Sequence, residues 1–81
     1  MLDAKIVGKV IQCYRERKCL SQEVLSGLSD IGRTHLSAIE RGERKPTLET
    51  FYKISKALGV KASEILGAIE EEIEKHSIGD S

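Results

Sequence analysis

The stretch DIGRTHLSAIERG, Asp30 to Gly42, gathers the side chains best suited to hydrogen-bonded recognition: Arg33, Thr34 and Ser37, set between two glycines. One apolar position recurs on every helical turn. With Ile31, Leu36, Ile39 and part of Ala38 turned inward, Gly32, Arg33, Thr34, Ser37 and Arg41 are left on the outer side. A guanidinium and two hydroxyls on one short helix can bind an ordered polar surface, but nothing opposite them supplies a base for catalysis. Other reactive side chains are scattered. Cys13 and Cys19 lack the second pair that a four-ligand zinc site needs, and read as reduced thiols, one partly packed and one near a turn. His35 and His76 stand far apart, with no ligand spacing around either. No nucleophile, base and orienting group form a set, and no glycine-rich phosphate loop is present. The chain is therefore expected to have no metal, no cofactor and no catalytic activity.

An 81-residue chain fits one domain with a modest core, so association with a partner is a reasonable source of added stability. Hydrophobic residues at 40%, charged residues at 32% and a single proline read as an ordinary folded domain rather than a disordered one. No apolar run approaches the roughly 18 residues that cross a bilayer, and no signal-peptide pattern opens the chain, so a cytoplasmic location without a membrane partner is expected. The zero net charge conceals an asymmetry. Residues 1–61 carry twelve Lys and Arg against seven Asp and Glu, whereas 62–81 carry one against six. A basic body is followed by an acidic end.

The elements that must position the outward helix are all helical. Ile6, Val7, Val10, Ile11 and Tyr14 recur at helical spacing and predict an amphipathic helix over 3–18. Ser21 is a good N-cap, with Glu23 in the following turn, for a second helix over about 22–28, with Leu25 and Leu28 inward and Val24 able to join them. The connection at Ser29, Asp30 and Ile31 suits two helices set at a steep angle. A third helix covers about 32–41, closed by Gly42 in a left-handed C-cap. Pro46 and Thr47 open a fourth, whose stripe Leu48, Phe51, Ile54 and Leu58 ends at Gly59. A fifth, about 61–75, carries Ala62, Ile65, Leu66, Ile69 and Ile73 on one side and glutamates on the other; Gly67 weakens it. Residues 76–81 read as a frayed tail.

The segment LSQEVLSGLSDIGRTHLSAIERGERKPTLETFYKISKALGV, Leu20 to Val60, resembles the helix-turn-helix domain of the Cro and phage-repressor (Xre) family. Ser21-Gln22, the RTHLS-IERG helix, Pro46 and KALGV fall in order with that family's spacing. The phrase RTHLSAIERG is also similar to restriction-modification controller proteins, small dimeric regulators of the same family. The resemblance implies an all-α, compact five-helix lambda-repressor-like DNA-binding domain over residues 1–75, with residues 32–41 as the reading helix.

A helix reads base edges best from outward side chains of its first turn, and the major groove admits one helix. Arg33 stands there, where its planar fork can take guanine O6 and N7 together. Thr34 can offer a hydroxyl and a methyl, Ser37 is a weaker reader one turn on, and Ala38 can make only an apolar contact. Gly32 opens the helix N-terminus, where backbone amides attract phosphate, and Gln22 corresponds to the family glutamine that holds a phosphate and braces the reading helix. Arg41, Arg44 and Lys45 should follow the sugar-phosphate backbone. His35 can reach a phosphate or a base edge, or can be a partly packed histidine. The resemblance sets Arg15 against Glu40 as a structural ion pair. Cys19 and Asp30 fall where the family commonly has glycine, so both turns must form without its freedom at positive φ. Ser26 replaces the usual alanine at the contact between the second and third helices, and Gly27 costs its helix about 1 kcal/mol relative to alanine.

These residues point to a sequence-specific transcriptional regulator binding double-stranded DNA as a homodimer on a palindromic operator, with autoregulation as the sharper reading. Ile65, Leu66, Ile69 and Ile73 are the expected dimer interface, unless that stripe packs on the monomer's own first helix. The alternative is a protein-interaction module, an antitoxin or adaptor, whose main partner is another protein; the acidic, isoleucine-bearing end favours it slightly.

Overall fold

Asp3 opens α1 (Ala4–Arg17), its carboxylate accepting from the amides of Lys5 at 2.8 Å and Ile6 at 3.3 Å. The computed structural model describes the backbone of residues 2–80 and the side chains of residues 2–76. Ser21 caps α2 (Gln22–Leu28) by accepting from Val24 N at 3.1 Å, and Thr47 caps α4 (Leu48–Leu58) through Thr50 N at the same distance. Between them lies α3 (Arg33–Glu40), which starts at Gly32 with no side-chain cap. The last helix, α5 (Ala62–Asp80), runs further than the expected end near Lys75. The side chains of 77–81, on which most of the expected tail falls, lie outside the described residues.

All five helices contribute to one core. Val7, Val10, Ile11 and Tyr14 of α1 meet Leu25, Leu36, Ile39, Phe51, Ile54 and Leu58, and Ile65 and Ile69 of α5 complete it. In this arrangement α1 packs on α3 and α5, while α2 packs on α3 and α4. Gly8 permits the closest of these approaches. A Cβ at Gly8 would lie 2.1 Å from the carbonyl oxygen of Ile39, so only glycine lets α1 pass the end of α3.

Three apolar residues depart from the sequence expectation. Leu28 is 61% exposed and Val24 is also exposed, because α2 buries Leu25, Ser26 and Ser29 instead. These three lie on one helical face, and two serines let α2 approach α3 closely. Leu48, expected at the head of the α4 stripe, is 84% exposed. It stands on the first turn of α4, ahead of Phe51, the residue at which that helix enters the core.

Four turns need a left-handed residue, and only two of them have glycine there. Cys19 and Asp30 both take φ near 58°, the left-handed region that favours glycine, and Gly42 and Gly59 take 78° and 74°. Gly42 is fixed for a second reason: a Cβ there would meet Lys5 Cγ at 2.7 Å.

Candidate nucleic-acid interface

The outward side of α3 is anchored by a polar network beneath it. Arg15 Nε and Nη2 donate to the two oxygens of Glu40 at 2.7 and 2.9 Å, and Arg15 Nη1 donates to Leu20 O at 2.8 Å. Gln22 Nε2 donates to Glu40 Oε1 at 2.9 Å, so the same carboxylate ties α1, α2 and α3 together. Hydrogen bonding to Glu40 raises the pKa of the Arg15 guanidinium above its ordinary value, against the opposing effect of burial. The ion pair between Arg15 and Glu40 is thus formed. The Gln22 side chain braces α3, and one of its amide hydrogens is committed to Glu40.

On the outer face, Gly32, Arg33 and Thr34 are exposed, and among the described residues neither Arg33 nor Thr34 has a hydrogen-bond or ion-pair partner. Gly32 takes ordinary extended geometry, φ −70° and ψ 146°, and a Cβ there would meet nothing within 4 Å. The fold therefore does not require glycine at this position. Its effect is to leave the first amides of α3 uncovered. His35 and Ser37 are half-buried.

The structure corrects the expectations for Ala38 and the isoleucine stripe, and gives Arg41 a partner the sequence did not suggest. Ala38 is 9% exposed, on the side of α3 where the following turn closes as Glu43 N donates to Ala38 O at 2.9 Å, so its methyl is not presented for base contact. Arg41 is exposed but not free: Nε and Nη2 donate to the Glu43 carboxylate at 2.8 and 3.1 Å, and Nη1 donates to Ser37 Oγ. Those hydrogen bonds, and then the opposite charge, raise the pKa of Arg41 and lower that of Glu43. Ile65 and Ile69, expected at a dimer interface, are 0% and 1% exposed and fill the monomer's own core, with Ile73 packed partly against it. A residue already buried in its own protomer has no surface left for a second one. Of the expected interface only Leu66, 39% exposed, offers substantial area.

Of the basic loop, Arg44 is exposed, and Lys45 Nζ donates to Leu2 O at 3.1 Å, pinning the N-terminal segment. Residues 12–65 match the family model described as helix-turn-helix, HTH_3. The chain belongs to the Xre/Cro-type helix-turn-helix family. It is a DNA-binding regulator of that family, and it is similar to restriction-modification controller proteins. It is 45% identical over 58 residues to the control protein C.BamHI of Bacillus amyloliquefaciens, covering 72% of each chain. Among solved structures, the controller protein C.AhdI of Aeromonas hydrophila matches with a TM-score of 0.76 at 32% identity, over 80% of this chain and 98% of that one. Wild-type controller C.Esp1396I matches with a TM-score of 0.85 at 33% identity, over 94% and 99%. No helix among the described residues of this Xre/Cro-type chain is long and apolar enough to cross a membrane.

Two contributors to the site escaped the sequence reading. Glu43 is two residues from Arg41 across a turn, where no helical spacing rule pairs them. Gly8 left a signal, a glycine on the apolar side of an otherwise strong helical pattern, which is the mark of a close contact.

Proposed function

We propose that this regulator reads an operator half-site with α3, Arg33 taking a base edge and Thr34 a base or phosphate at the first turn. The observation that carries the reading is the unpartnered, exposed Arg33 beside the open Gly32 terminus, on a helix fixed from beneath by Glu40. Backbone amides there, with Arg44 at the far end of the helix, bind phosphates, and His35 lies near enough to the same face to join them. Arg33→Ala should cost about 1–3 kcal/mol on the preferred operator and relax preference at one position of each half-site. Equal weakening on every duplex would instead assign Arg33 to the phosphates.

The regulator acts as a homodimer on a palindrome in its own control region, in the cytoplasm. Half-sites about 10 bp apart require two reading helices related by a two-fold axis. The face that best suits a second copy is not the Ile65–Ile69 stripe. It is Leu48, projecting beside an apolar cavity of about 280 Å³ lined by Leu2, Pro46, Phe51 and Leu66. A projecting leucine and an apolar recess on one face make that face self-complementary, as a two-fold contact demands. Leu48→Asp should give a folded monomer in sedimentation equilibrium, because Leu48 contributes little to the core; an unchanged dimer would move the interface elsewhere.

A second reading, with another protein as the main partner, is favoured by exposed Val24 and Leu28 on α2. Salt decides between the two readings. Several phosphate contacts predict a steep fall of duplex affinity with salt, whereas a protein-binding module would show weak, flat binding.

A further inference from the structure

Arg41 caps the far end of α3 on its outer side, yet its fork is already occupied. The carboxylate of Glu43 takes Nε and Nη2 side by side, the geometry in which a guanidinium also grips a phosphate, and Nη1 spans to Ser37 Oγ on the same helix. Both members are well exposed, at 55% and 59%, so the pair is not needed to hold the core. A carboxylate in that position also sets a negative charge beside the face a duplex would approach.

We propose that Glu43 is an internal competitor for DNA: it holds Arg41 across Ser37, and a backbone phosphate must displace the carboxylate to engage the guanidinium. The clasp sets affinity rather than sequence preference. It also reduces the salt dependence of binding, because an Arg already neutralised by a carboxylate adds little net counterion release when it moves to a phosphate. Ser37 is held by the same clasp, so one lone pair of its hydroxyl oxygen is taken until Arg41 leaves.

This inference rests on the DNA-binding reading above, and the test separates the two. Duplex binding is measured for the wild type, Glu43→Gln, Arg41→Gln and the double variant, on an operator selected from a random duplex pool and on a scrambled duplex, across a salt series. Glu43→Gln should bind both duplexes about two- to fivefold tighter per protomer, with the log–log salt slope steeper by about 0.9 per protomer. On the Arg41→Gln background the same change should have little effect, since no guanidinium remains to be released. An equal gain with and without Arg41 would reduce Glu43 to a general repulsive charge and overturn the clasp. A Glu43→Gln variant no tighter than wild type would overturn it as well, leaving DNA binding intact. If no variant shows salt-dependent duplex binding, the DNA reading and this inference fall together.

Discussion

Glu40→Ala lowers the stability of the domain by about 3–5 kcal/mol, read as a shift in the urea midpoint followed by circular dichroism. Glu40 is 3% exposed at its side chain and accepts three hydrogen bonds, two from Arg15 and one from Gln22. Its removal leaves an Arg15 guanidinium that is only 11% exposed with Leu20 O as its remaining partner. An unpaired charge held away from water is the costly state, more than the pair itself is favourable. The double change Arg15→Met with Glu40→Met should therefore recover most of the loss, because both charges go and the apolar stems still pack. A domain holds about 5–15 kcal/mol in all, so the single variant would be close to its folding limit. A loss below about 1 kcal/mol would show that the pair behaves as a surface contact.

Ile69→Asp should unfold the chain outright, with a cost of about 5 kcal/mol or more, while Leu66→Asp stays folded. Ile69 is 1% exposed among the apolar side chains of the core, so the change removes buried methyl groups and inserts a carboxylate with no partner. Leu66, one residue past core-facing Ile65, is 39% exposed and can carry a charge into water. The contrast between neighbouring helical positions is read by thermal denaturation of the two variants side by side. A folded, monomeric Ile69→Asp variant would return Ile69 to the dimer interface and contradict the packing described here.

Much of the outer face of α3 was legible because helical periodicity alone divides inside from outside. Leu36 and Ile39 had to turn inward, and Arg33 and Thr34 followed outward as the remaining positions of the same turn. The N-caps at Ser21 and Thr47 were equally local, since each is one hydroxyl meeting one amide three residues on. The positive-φ turns at Cys19 and Asp30 were readable only through comparison with a family that favours glycine there; their own residue types argue against that conformation.

Five helices, the caps at Ser21 and Thr47, the outward face of Arg33 and Thr34, and a basic body with an acidic end all follow from the chain's own order of residues. Those are properties of neighbours along the chain, where distance is fixed by helical geometry. Which surplus apolar residues are buried depends instead on how the helices pack. Ile69 and Leu48 are both large aliphatics on amphipathic helices, and what separates them is whether another helix lies within reach, a fact about packing that no periodicity contains. The same holds for charge. Arg33 and Arg41 are both basic residues on the outer side of one helix, but Arg33 is left open while the turn at Gly42 brings Glu43 back onto Arg41. Whether a guanidinium is available to a phosphate depends on which carboxylate the chain folds beside it.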